Sequence, residues 1–179
     1  MNHISELAQL GTSTWLDDLS RERLVSGNLE EIISTKSIVG VTTNPAIFAA
    51  AMTNGTAYDA ELSTLKETKA SADEAVYALA IEDVKNACDL FADIYSSTNG
   101  ADGRVSIEVD PRISDDANAT LEQARELWSK VDRPNVMIKI PATTASLPAI
   151  EDALAEGISV NVTLIFSVDR YRDVIEAFR

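Results

Sequence analysis

Lys139 lies at the centre of an uninterrupted apolar run, Val136-Met137-Ile138-Lys139-Ile140-Pro141. A lysine in such a run must either leave the core or give up its proton readily, because removal from water disfavours the ammonium form and lowers the pKa. A neutral amine is a nucleophile that can attack a carbonyl and form a Schiff base. At the ordinary lysine pKa of about 10.4, only roughly 1 amine in 2,500 is neutral at pH 7, so burial would change the chemistry greatly. The alternative is a lysine that snorkels its head past a strand end, and this segment alone does not decide between the two. Cleaving a carbon-carbon bond beside a carbonyl needs an electron sink, which proteins supply as a metal ion or as a protonated lysine imine. The chain has a single histidine, His3, which argues against a His-rich zinc site. Pyridoxal phosphate ranks low because no glycine-rich phosphate cradle follows a strand candidate. What remains is an imine formed directly with a ketose carbonyl, with a nearby acid moving the protons.

Five short segments could position such groups. β-branched runs bounded by turn signals predict strands over 13–17, 38–43, 105–109, 136–140 and 158–163. Period-two alternation puts Ser106 and Glu108 on one face of the third run, opposite Val105, Ile107 and Val109. The same parity groups Ser159, Asn161 and Thr163 in the last run, and Gly40, Thr42 and Asn44 in the second. Asp17 ends the first, sharing a face with Ser13 and Trp15. Helical spacing predicts helices over 19–34, 73–95, 117–131, 146–156 and 168–179, with Ser71 to Glu74 as a start signal and Gly157 as a C-terminal cap.

Strands alternating with helices imply a parallel sheet, either doubly wound or closed as a (β/α) barrel. Polar residues gather at the C-terminal ends of the strands: Asp17, Asn44, Glu108, Lys139, Asn161 and Thr163. Taken singly, each Asp or Asn among them reads as a cap for the following helix. Six together favour the mouth of a TIM barrel over a doubly wound sheet.

Composition narrows the function classes. With 45% hydrophobic and 25% charged residues in 179, and no linker or repeat, the expectation is one α/β domain over 1–179. A net charge of −14 argues against nucleic-acid binding, which relies on basic surface. No apolar stretch approaches membrane-spanning length, and the opening Met1-Asn2-His3-Ile4-Ser5-Glu6 lacks a secretory signal, so the expected location is the cytoplasm. The single cysteine, Cys88, falls within an amphipathic helix and reads as a small core residue.

The segments Gly40-Val41-Thr42-Thr43-Asn44-Pro45-Ala46-Ile47-Phe48 and Asn135-Val136-Met137-Ile138-Lys139-Ile140-Pro141-Ala142-Thr143 resemble the two signatures of the transaldolases. Leu16 to Arg21, Ser106 to Arg112 and Asn161 to Ser167 match further blocks of that family in order, and Asp17-Asp18-Leu19-Ser20-Arg21 is similar to its longer bacterial branch. The resemblance implies a (β/α)8 TIM barrel in which Lys139 forms the imine, Glu108 acts through a water as acid and base, and Thr163 holds that water. It also implies that Asp17 exchanges a proton with the hydroxyl at the breaking bond, while Asn44 and Asn161 bind the dihydroxyacetone part and Thr42 supports them. The implied reaction passes a dihydroxyacetone unit from sedoheptulose 7-phosphate to glyceraldehyde 3-phosphate, giving erythrose 4-phosphate and fructose 6-phosphate in the pentose phosphate pathway. Sugar phosphates are then the partners, with no metal or organic cofactor. A class I aldolase of the fructose 6-phosphate type is the alternative enzyme, and an inactive fragment the non-catalytic one.

Two departures accompany the resemblance. Ser146 stands where many members carry a glycine. A barrel of eight units typically needs about 250 residues, whereas five strand units fit here. The expectation is therefore an N-terminal portion of the barrel, truncated or completed by another chain. The phosphate-binding residues would lie in the part not present, and exposed strand edges would invite self-association.

Overall fold

The computed structural model describes residues 3–53 and 56–179. Met1 and Asn2, which open the segment read for a secretory signal, lie outside the described residues. In chain order the elements are α1 (His3–Gln9), β1 (Trp15–Leu16), α2 (Arg21–Val25), α3 (Asn28–Lys36), β2 (Gly40–Thr42), α4 (Pro45–Thr53), α5 (Asp59–Glu67) and α6 (Ala72–Leu90). There follow α7 (Ala92–Ser97), β3 (Arg104–Glu108), a 3-10 turn at Pro111–Ile113, α8 (Ala117–Val131), β4 (Val136–Pro141), α9 (Leu147–Ala155), β5 (Val160–Thr163) and α10 (Val168–Phe178). The strands form one sheet in the order β1-β2-β3-β4-β5. This is the alternating α/β pattern with parallel pairing that the sequence predicts, and it comprises five βα units of a barrel. All five predicted strands occur.

The chain divides into two compact units, 1–105 with 133–135, and 106–132 with 136–179. In the first, β1 pairs parallel with β2, placing Trp15 opposite Gly40 and Leu16 opposite Val41. Only glycine fits at position 40, where a Cβ would lie 2.5 Å from the Trp15 ring and 2.9 Å from the Arg104 carbonyl. Leu19, Leu29, Val41, Val84, Ala87, Cys88 and Phe91 have no exposed surface and form this unit's core. Asn135 knits it further, its Nδ2 donating to the carbonyls of Cys88 at 2.9 Å and Gly103 at 2.8 Å.

Two predicted helices are each divided. The 19–34 helix separates into α2 and α3 at Ser26–Gly27, where Gly27 takes the left-handed conformation. The 73–95 helix ends at Leu90, and buried Phe91 turns the chain into α7. The start signal at Ser71 is a full capping box, with the Ser71 side chain accepting from Glu74 N and the Glu74 carboxylate accepting from Ser71 N at 2.8 Å. Helices α1, α4 and α5 were not predicted. The Asn44-Pro45 pair explains α4: the Asn44 side chain accepts from Ile47 N at 2.9 Å, and proline suits a first helical position.

In the second unit β4 and β5 run parallel, with Ile138 beside Val160, Lys139 beside Asn161, Ile140 beside Val162 and Pro141 beside Thr163. Helix α8 starts at Asp116, whose carboxylate accepts from Ala119 N, and it buries Leu121, Ala124, Leu127 and Val131. Helix α9 closes in a Schellman turn. Gly157, at φ 83°, donates its N–H to Leu154 O, and Ile158 donates to Ala153 O, both at 3.0 Å. Helix α10 starts at Ser167 and shares with α9 and β5 an apolar groove of about 210 Å³, lined by Leu154, Val160, Val162, Val174, Ile175 and Phe178 among others.

Candidate active site

In the second unit, β3 presents Ser106 and Glu108, β4 presents Lys139, and β5 presents Asn161 and Thr163. The Lys139 side chain stays inside rather than snorkelling out: its residue is only 8% exposed, and Nζ lies 3.2 Å from Glu108 Oε2. Its position is fixed by the ladder, because Val109 N donates to Lys139 O at 3.1 Å. The register then sets Asn161 directly beside Lys139. Asn161 Nδ2 donates to the buried Ser106 Oγ at 2.9 Å, which fixes the amide's orientation. Thr163 Oγ1 is buried and has no hydrogen-bond partner among the described residues, so it offers both a donor and an acceptor to a small polar molecule.

The loops behind these strand ends are tied down. After β3, Asp110 accepts from Arg112 N at 2.8 Å, and its own N–H donates to Gln123 Oε1 at 2.6 Å. The side-chain hydrogen bond from Arg112 holds the Asp110 carboxyl below the ordinary aspartate range. After β4, Thr143 Oγ1 donates to Ser114 O at 2.6 Å and Ser146 Oγ donates to the same carbonyl at 2.8 Å. Ser146 is fully buried. Where a glycine would leave Ser114 O with one side-chain donor, this chain supplies two, joining the segments that follow Glu108 and Lys139.

In the first unit the residues singled out from sequence are Asp17, Thr42 and Asn44. Asp17 follows β1 directly and is exposed. Its neighbour Asp18 is engaged, its Oδ2 accepting from Arg23 Nε at 2.9 Å. Thr42 ends β2 and is half-buried. Asn44 spends its carbonyl oxygen on the start of α4, which leaves its Nδ2 as the donating end. Here the capping role and a binding role are compatible, since they use different atoms.

Sequence reasoning passed over a buried polar cluster in this unit. Asp83 on α6 has no exposed surface. It accepts from Arg21 Nε and, at 2.7 Å, from the Tyr58 hydroxyl. Arg21 N donates to that hydroxyl at 2.8 Å, and Arg21 Nη1 donates to Glu61 Oε2 at 2.7 Å. Burial pushes the Asp83 carboxyl above its usual range, against the opposing pull of these hydrogen bonds. The signal in the sequence was an acid inside an apolar stripe, with Leu79, Ala80, Val84 and Ala87 around it at helical spacing.

Cys88 is fully buried, and burial pushes its thiol up to about 12, so it is not a thiolate nucleophile at neutral pH. Among the described residues no group of three His, Cys, Asp or Glu side chains is placed to hold a metal ion. No helix among them is long and apolar enough to cross a membrane.

Comparison with known proteins gives concordant results. The model of the family described as Transaldolase/Fructose-6-phosphate aldolase matches residues 14–178. The protein named Transaldolase from Mycolicibacterium smegmatis is 57% identical over 176 residues, covering 98% of this chain and 47% of that protein. The Transaldolase of Mycobacterium leprae is likewise 57% identical, and that of Mycobacterium bovis 55%, with the same coverage. The chain thus spans about half the length of the curated relatives it matches.

Proposed function

This chain belongs to the transaldolase/fructose-6-phosphate aldolase family, and we propose that it carries the Schiff-base half of a transaldolase site. The observation behind this reading is the Lys139 amine 3.2 Å from Glu108, with Asn161 in register beside it and an unpartnered Thr163 hydroxyl on the same strand.

Glu108 takes a proton from Lys139, the neutral amine adds to the ketose C2 carbonyl, and Glu108 returns the proton through a water held by Thr163 so that the C2 hydroxyl leaves as water and the iminium forms. Asp17 takes the proton of the C4 hydroxyl. The C3–C4 bond then breaks, its electron pair moving into the iminium to give an enamine, while the C4 fragment departs as an aldehyde. Addition of the enamine to a second aldehyde, followed by hydrolysis, completes the transfer. Of the two adjacent acids, Asp17 suits the proton transfer because Asp18 is paired with Arg23. Asn161 and Asn44 present amide donors to the dihydroxyacetone hydroxyls, and Thr42 supports Asn44 from the end of β2.

The substrates in this reading are sedoheptulose 7-phosphate and glyceraldehyde 3-phosphate, acted on in the cytoplasm, with the phosphate-binding groups outside these 179 residues. The edges of β1 and β5 are the surfaces through which the chain would associate with a further chain or a second copy. The relatives' names favour transfer over simple aldol cleavage, and product analysis with and without an acceptor aldehyde separates the two.

The deciding experiment is borohydride reduction in the presence of fructose 6-phosphate, followed by peptide mass analysis. A stable adduct on the Lys139 peptide, absent in Lys139→Met, is the expected result. An adduct that persists in Lys139→Met would place the imine on another lysine.

A further inference from the structure

The segment from Asp17 to Ser20 carries the acid assigned to proton transfer, and it is pinned at both ends. Upstream, Leu16 is paired in the sheet beside Val41. Downstream, Arg21 is held by Glu61 through Nη1 at 2.7 Å and in three further ways. Its Nε bonds the Asp83 carboxylate, its backbone N–H bonds the Tyr58 hydroxyl at 2.8 Å, and its guanidinium lies 5.2 Å from the centre of the Tyr58 ring. Asp83 stands behind two of these contacts at once, because its second oxygen fixes the Tyr58 hydroxyl at 2.7 Å. Within the segment Leu19 is fully buried, Ser20 accepts from Arg23 N, and Asp18 is bound by Arg23. Asp17 is the exposed member of the four.

A buried ion pair contributes little net stability once desolvation is counted, whereas breaking one side of it is strongly destabilising. Its physical value lies in allowing one geometry and penalising others. Arg21 and Tyr58 reach the Asp83 carboxylate from different helices, Arg21 from the start of α2 and Tyr58 from the residue before α5. Any drift of the α2 start would strand a charge in a dry site.

We propose that Asp83 is a positioning residue, which fixes the 17–20 segment through Arg21 and Tyr58 and thereby sets where the Asp17 carboxylate sits. This inference rests on the role given to Asp17 above.

The test uses the whole chain, with Asp83→Asn, which keeps the shape and removes the charge, and Tyr58→Phe, which removes only the hydroxyl and carries the test should Asp83→Asn fold poorly. Amide hydrogen exchange is read at residues 17–21 and, for comparison, in β4 and β5. Borohydride trapping with fructose 6-phosphate is read in parallel, as the ratio of six-carbon to three-carbon adduct on Lys139. Expected is roughly tenfold faster exchange at 17–21 with β4 and β5 unchanged, and a shift toward the six-carbon adduct, because the imine still forms but the C3–C4 bond is not cut. Asp17→Asn should give the same adduct shift with no change in exchange. Unchanged exchange at 17–21, exchange raised evenly through the first unit, or a persistent three-carbon adduct would each overturn the proposal. If the unmodified chain traps neither adduct, the functional reading fails, and the exchange result alone judges whether Asp83 holds the segment.

Discussion

Glu108 Oε2 lies 3.2 Å from Lys139 Nζ, within reach of direct proton transfer, and both side chains are largely removed from solvent. In the proposed mechanism this pair exchanges the proton that imine formation and hydrolysis each require. General acid-base assistance of this kind is worth about 10²–10⁴-fold. Glu108→Gln keeps the hydrogen-bonding shape but not the proton, and should slow imine formation about 10²-fold in a borohydride-quenched time course, with the circular dichroism spectrum unchanged. A second residue-scale prediction concerns Asp110. Its carboxyl is lowered in the folded state by Arg112, so its stabilising contribution is present above the unfolded pKa of about 3.9 and is lost as the pH falls through the lower folded value. Arg112→Ala should move the Asp110 titration up toward the ordinary aspartate range, read by carboxyl carbon NMR.

At the scale of elements, Gly157 and Gly40 should respond differently to alanine. Gly157→Ala meets no atom within 4 Å and suffers only the left-handed backbone, a cost of about 1–2 kcal/mol. Gly40→Ala adds a methyl against the Trp15 ring and a backbone oxygen that cannot swing away, so its loss should be larger, about 2–4 kcal/mol once strand shifts are included. Urea denaturation of both variants checks the order. Strands were legible in the sequence because their β-branched runs are short, sharply bounded and carry a two-residue period. The helical spacing of 73–95 hid the break at Phe91, because Phe91 is as apolar and as buried as its neighbours and nothing local marks it. Helix α4 was obscured by the same Asn44 that was read as a binding residue, and α5 by a low apolar content that gives no stripe. Parity set Glu108 with Ser106 and Asn161 with Thr163, and their shared place with Lys139 at the C-terminal ends of the strands joined them into one group. Ser106 fell on the same face, but its partner could be known only from the β3 and β5 side chains meeting in space. Asp83 stood out only as an acid in an apolar stripe, and its role was hidden because its partners lie 25 and 62 residues away along the chain.

At the scale of the whole molecule, large apolar side chains remain in water along the last part of the chain. Phe166 is 88% exposed and Phe178 74%, and α10 flanks the open groove beside β5. Isolated exposed apolar residues are ordinary, but a contiguous set beside an unpaired strand edge is a liability for aggregation. Phe166→Lys with Phe178→Lys should raise the concentration at which the chain stays in solution while altering unfolding free energy by about 0.5 kcal/mol or less per site. Light scattering and denaturant titration read the two effects separately.

The Schellman turn at Gly157 works as a ruler for the chemistry. Only two residues, Ile158 and Ser159, lie between that glycine and Val160, so the turn dictates which amino acid arrives opposite Lys139. Inserting or deleting one residue there would rotate every β5 side chain by half a turn and bring methyl groups where the amide now stands. A chain altered in that way could retain each of its helices, its sheet and its lysine, and still lack the amide that the proposed reading sets against the sugar.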